Sequence, residues 1–97
     1  MPARPYELMY VVQPGADEER LGAISERIQN AITSLGGTVG KAAPPVRRRL
    51  AYELGHHREG QYAVVEFSLP TEQSRELDRT IRLTEDVLRY LVVRRDE

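Results

Sequence analysis

Arg47, Arg48 and Arg49 stand side by side and run into Leu50-Ala51-Tyr52, a segment of strand-forming character. A guanidinium is a planar fork of donors that stays charged and fits phosphate oxygens in pairs. Three in a row point to anion chemistry, with a nucleic-acid backbone as the natural polyanion. Alternate residues of a strand face opposite ways, however. Arg47 and Arg49 share one face with Ala51, while Arg48 shares the other with Leu50 and Tyr52, so at most two can meet one ligand. Charges on an edge strand also discourage edge-to-edge pairing, a structural role that fits the same residues. The residues alone leave both roles open. A second group, Arg75, Arg79 and Arg82, recurs at steps of four and three and lines one helical face. Asp78 and Arg82 form a favourable i, i+4 pair there, whereas Arg75 and Arg79 repel.

Other chemistry finds little support. His56-His57 is a pair of sequence neighbours in a polar stretch, without a third ligand nearby, and reads as a turn rather than a metal site. No serine or threonine has a base at a recognisable spacing. Gly15 and Gly36-Gly37 serve a turn and a helix end rather than a phosphate loop. The 97 residues include no cysteine, which excludes disulfides and thiolate metal sites and fits a reducing compartment. Neither a catalytic residue nor a cofactor or metal is expected.

The elements that must position these groups follow from periodicity. Tyr6 to Val12 is apolar on both faces and reads as a central strand. Leu21, Ile24, Ile28, Ala31, Ile32 and Leu35 form one stripe of a helix from about Asp17 to Leu35, with Asp17 as its N-cap and Gly36-Gly37 as its terminator. Thr38 to Lys41 starts a second strand that Pro44-Pro45 should interrupt, placing it at a sheet edge, and it resumes from Arg47 to Leu54. A polar turn is expected over 55–60. Gln61 to Leu69 is a third strand, with Ala63, Val65, Phe67 and Leu69 on its core face and Tyr62 on the other, packed against Tyr6 or Tyr90. Thr71 is expected to cap a second helix that buries Leu77 and Ile81, and Val87 to Val93 closes the chain as a fourth strand. The order β-α-β-β-α-β is that of the ferredoxin-like α+β sandwich, a four-stranded antiparallel sheet with two helices on one face. Residues 1–97 are expected to form a single domain.

Hydrophobic residues make up 40% and charged residues 30%, an ordinary globular balance. Net charge is −1, yet nearly every cation is arginine, Lys41 being the sole lysine, and the charges are segregated along the chain. No segment reads as a signal peptide or bilayer span, so the protein is expected in the cytosol. Gly60 to Phe67 partly matches the signature octapeptide of RNA-recognition motifs at Tyr62, Ala63, Val65 and Phe67. Gly60, Gln61 and Val64 depart from it, the last replacing a stacking aromatic.

A fuller match joins the landmarks. Tyr6-Glu7, Arg48-Arg49-Leu50-Ala51-Tyr52, Gly60 with Tyr62, and Ile81-Arg82-Leu83 leading to Val87-Leu88-Arg89-Tyr90 together resemble the bacterial small-subunit ribosomal protein numbered six. The resemblance runs from about Tyr6 to Arg94. It implies a non-catalytic domain that binds the central domain of 16S ribosomal RNA jointly with the small-subunit protein numbered eighteen. It further implies RNA contacts at Arg48, Arg49, Arg82, Arg89 and Arg94, to which Arg47 is added on charge. Family members often carry Trp-Gly where this chain has Pro45-Val46, and Pro-Ile then Lys where it has Glu53-Leu54-Gly55. A rival of another class is a regulatory ferredoxin-like module that binds a small ligand or homodimerises through its open sheet face.

Overall fold

The computed structural model describes residues 3–54 and 56–96. Strand β1 (Ala3–Val12) is followed by helix α1 (Glu18–Ser34), strands β2 (Thr38–Leu54) and β3 (His57–Pro70), a short 3-10 turn (Thr71–Gln73), helix α2 (Ser74–Arg82) and strand β4 (Val87–Arg94). The sheet order is β2-β3-β1-β4, with every neighbouring pair antiparallel. This is the ferredoxin-like βαββαβ arrangement expected from the sequence, and β1 is central as its two apolar faces require.

One sheet face carries the core. Leu8, Tyr10 and Val12 of β1 and Ala63, Val65, Phe67 and Leu69 of β3 point to the helix side, where Ile24, Ile28 and Ile32 of α1 and Leu77 and Ile81 of α2 meet them. The α1 isoleucines fall four apart, so one stripe of the helix is buried and the rest is solvated. Asp17 caps this helix by accepting from the Arg20 amide at 2.8 Å. Its far end closes on Gly36, whose φ of +89° is the left-handed conformation that glycine tolerates best. Tyr6 stacks on Phe67 with ring centroids 5.5 Å apart.

Three local expectations need correction. Pro44-Pro45 does not end β2, which runs through as one 17-residue strand. Because β2 is an edge strand, the ladder accommodates the missing donors by shifting register between Val39 and Ala42 and between Ala43 and Val46. The polar turn is shorter than 55–60: Leu54 already pairs with His57, so β3 starts there. Thr71 makes no cap, since it opens the 3-10 turn and neither that turn nor α2 has a side-chain N-cap bond.

The second half of β2 does what the sequence does not announce. Beyond Arg49 the hairpin curls over the open sheet face, and Leu50 is buried there. On the same face Gly60 leaves room for the Val11 side chain. A Cβ at Gly60 would lie 2.4 Å from Val11 Cγ1 and 3.4 Å from Leu50 Cδ2. Gly60→Ala is therefore expected to cost about 1–3 kcal/mol through overpacking, read as a lower urea midpoint. An unchanged midpoint would mean that the Val11 side chain moves aside without cost.

Candidate nucleic-acid interface

Both helices run between the same two ends of the sheet. At one end β1 finishes at Val12, α2 finishes at Arg82, β4 begins at Val87, and β2 delivers Arg47, Arg48 and Arg49 beside the start of β3. Arg47, Arg48, Arg49, Arg82 and Arg89 all belong to this end. Arg94 does not: it pairs with Tyr6 at the opposite end, and its guanidinium is held by Asp96 at 2.6 Å.

The five split between faces. Arg48 lies opposite Gly60 and Arg89 opposite Val11, which puts both on the open face. Arg47 lies opposite Gln61 and Arg49 opposite Glu59, on the helix side. The alternation expected along Arg47 to Tyr52 is present. Arg82 is exposed at the end of α2, in the helix layer, and pairs with Asp78 at 3.6 Å. The structure thus gathers the arginines at one end without aiming them in one direction.

Their neighbours differ as well. Arg47 donates to the Pro14 carbonyl at 3.0 Å and pairs with Glu59 at 3.5 Å. Arg89 donates to the Tyr52 hydroxyl, with its Cζ 5.9 Å from the ring centroid. Arg48 and Arg49 are exposed and have no hydrogen-bonding or ion-pair partner among the described residues. Arginines without an internal carboxylate give up no ion pair when they bind a phosphate.

Tyr62 faces away from Tyr6, because Tyr6 pairs with Phe67 on the helix side while Tyr62 pairs with Val11. It lines a hollow of about 250 Å³ under the curled hairpin, shared with Met9, Leu50, Tyr52 and Leu91. From the hollow an exposed apolar strip continues through Leu91 and Val93 on β4. Tyr52 and Tyr62 were legible only as strand aromatics; the curl that joins them is tertiary.

Two contacts fix the end that carries the arginines. Arg20 pairs with Asp86 at 2.8 Å and donates to the Glu85 carbonyl, clasping α1 to a loop in which Asp86 holds a φ of 73°. Tyr90 donates to Asp78 Oδ1 at 2.6 Å, tying β4 to α2. That bond, with some burial, raises the Tyr90 pKa, since a phenolate would face a carboxylate. A raised folded pKa means that the contribution is whole below the ordinary value near 10 and is lost as pH climbs through the raised one. Tyr90→Phe is expected to lose about 1 kcal/mol at pH 7, with the gap to wild type closing above pH 10. Urea unfolding across that range tests it, and a gap that widens would contradict it.

The chain's relatives agree with this architecture. A family model for ribosomal protein S6 matches residues 5–94. The small ribosomal subunit protein bS6 of Carboxydothermus hydrogenoformans is 42% identical over 94 residues, covering 97% of this chain and 98% of that protein. The bS6 of Symbiobacterium thermophilum is 43% identical over 91 residues, covering 94% and 96%. The crystal structure of 30S ribosomal protein S6 from Thermotoga maritima superposes with a TM-score of 0.90 at 29% identity, over 97% of this chain and 89% of that one. A chain from the complex of the chemotaxis kinase CheA P2 domain with CheY, also from T. maritima, reaches 0.68 at 11% identity, a likeness of fold alone. The chain belongs to the ribosomal protein S6 family, structural and non-enzymatic proteins of the bacterial small ribosomal subunit on the cytoplasmic ribosome.

Proposed function

We propose that this protein binds the central domain of 16S ribosomal RNA together with the small-subunit protein numbered eighteen, through two distinct surfaces. The end where β1 and α2 finish supplies phosphate contacts from Arg48, Arg49 and Arg89, with Arg47 and Arg82 able to join by exchanging a weak exposed ion pair. Arg94 drops out of the contact set, because it sits at the other end with Asp96. The apolar strip on the open face, Met9, Leu91 and Val93, is the surface for the partner protein.

The observation that carries this proposal is the clustering of arginines at one end of a domain whose net charge is −1. Two of them, Arg48 and Arg49, have no carboxylate partner among the described residues. Shape and backbone are what such a surface can recognise, since phosphate contacts carry little base information. With so little net charge the lone domain binds weakly, and a basic partner completes the surface. Titration of central-domain RNA with this protein, the partner and both is the test. Tight binding that appears only with both and falls with salt is the expected result. A stable homodimer indifferent to RNA would overturn the proposal in favour of a regulatory module.

A further inference from the structure

We propose, building on the RNA contact above, that Tyr52 is a stacking platform for one unpaired RNA base, with Arg48 and Arg89 holding phosphates on either side. Tyr52 is 59% exposed, a high value for a ring on a strand that is folded back onto its own sheet. Its hydroxyl accepts from Arg89, so the side chain is anchored while a ring surface stays open. Base stacking needs such a ring: accessible, and close to a cation that strengthens the contact.

The flanking charges distinguish a nucleotide from other occupants. On the open face, Arg48 opposite Gly60 and Arg89 opposite Val11 lie on the two outer strands. Three strand spacings separate them, roughly 14 Å at about 4.8 Å each. Tyr52, four residues beyond Arg48, reaches from the curled hairpin to Arg89 on β4. Neither arginine has a carboxylate partner among the described residues, whereas Arg95 on the same face is satisfied by Glu7 at 3.0 Å. A base on the ring with phosphates toward both guanidinium groups meets all three. An apolar protein side chain would fill the hollow and leave both charges unmatched. The hollow itself, at about 250 Å³, falls below the roughly 300–1,000 Å³ of pockets for drug-sized ligands. It gives the edge of one ring a place to rest against Tyr62.

Stacking is nearly independent of salt, while phosphate contact is not, and this separates the two contributions. Central-domain RNA is titrated in the presence of the partner protein with Tyr52→Ala, Tyr52→Leu, Tyr52→Phe and Arg48→Ala. Tyr52→Ala and Tyr52→Leu are expected to bind between about fivefold and a hundredfold more weakly with an unchanged salt slope, and Tyr52→Phe to keep most of the affinity. Arg48→Ala is expected to flatten the slope by about one unit. Wild-type affinity in Tyr52→Ala, or its recovery in Tyr52→Leu, would overturn the platform while Arg48→Ala still reports on the RNA contact. Weakened pairing of Tyr52→Ala with the partner protein in the absence of RNA would assign the hollow to that protein and overturn it too. Melting curves of the variants should match wild type; a Tyr52→Phe variant that folds normally yet loses RNA affinity would also contradict the proposal. If wild type binds no RNA under any salt, the underlying RNA proposal falls with it.

Discussion

Phe67→Ala is expected to destabilise the protein by about 3–5 kcal/mol, the range for removing a buried aromatic. Phe67 is 4% exposed, lies on the helix-side sheet face and stacks on Tyr6. Its removal forfeits the transfer energy of the ring, opens a cavity between the sheet and the helices, and leaves Tyr6 without its stacking partner. Against a total stability of about 5–15 kcal/mol for a domain of this size, such a loss leaves little reserve. The melting temperature should fall by more than about 10 °C, since each kcal/mol is worth about 4–8 °C in domains of 60–100 residues. Tyr62 is the control. It belongs to the same strand but faces the open side and is half-buried, so Tyr62→Ala should cost far less. Equal losses would mean that the two faces of β3 are not inequivalent.

Arg48→Ala with Arg49→Ala is expected to remove about two units from the salt slope of RNA binding, one for each phosphate contact. Between 50 and 200 mM salt, one contact contributes roughly a 3.5-fold fall in affinity at a slope of about 0.9, and two contribute roughly 12-fold. The double variant should therefore lose its disadvantage relative to wild type as salt rises. Stability should hardly change, because both side chains are exposed and neither has a partner among the described residues. A full wild-type slope in the double variant would remove both residues from the interface.

Much of this was legible in the sequence, for reasons that vary by element. The α1 isoleucines at 24, 28 and 32 announce a helix and its buried stripe at once, and Asp17 and Gly36 mark its ends by local chemistry. The position of β1 at the centre follows from its lack of a polar face. Pro44-Pro45 was legible as an edge signal but misled about continuity, because a proline whose missing donor would face solvent breaks nothing that the sheet uses. The 3-10 start of α2 shows the limit of capping rules where the chain leaves a strand through proline.

The interface was less legible. Alternation assigned Arg48 to the side of Leu50 and Tyr52, but it could not say which side is the open face; only register against Gly60 does that. Nor could spacing reveal that Tyr52 reaches Arg89, 37 residues away and two strands beyond β3. That contact depends on the curl of the hairpin over the open face. The grouping of Arg82 with the triplet at one end follows from topology, not from either motif. Arg94, which motif matching grouped with them, is carried to the other end by the antiparallel course of β4.

The absence of cysteine allows the orientation on RNA to be measured directly. A single cysteine at Ala51, on the curled hairpin, or at Glu72, at the opposite end, can carry an iron chelate that cleaves nearby RNA by hydroxyl radicals. In the complex with central-domain RNA and the partner protein, cleavage from position 51 should be strong and confined to a few neighbouring backbone segments, and cleavage from position 72 weak. Strong cleavage from position 72 with none from position 51 would contradict an arginine-bearing end turned toward the RNA.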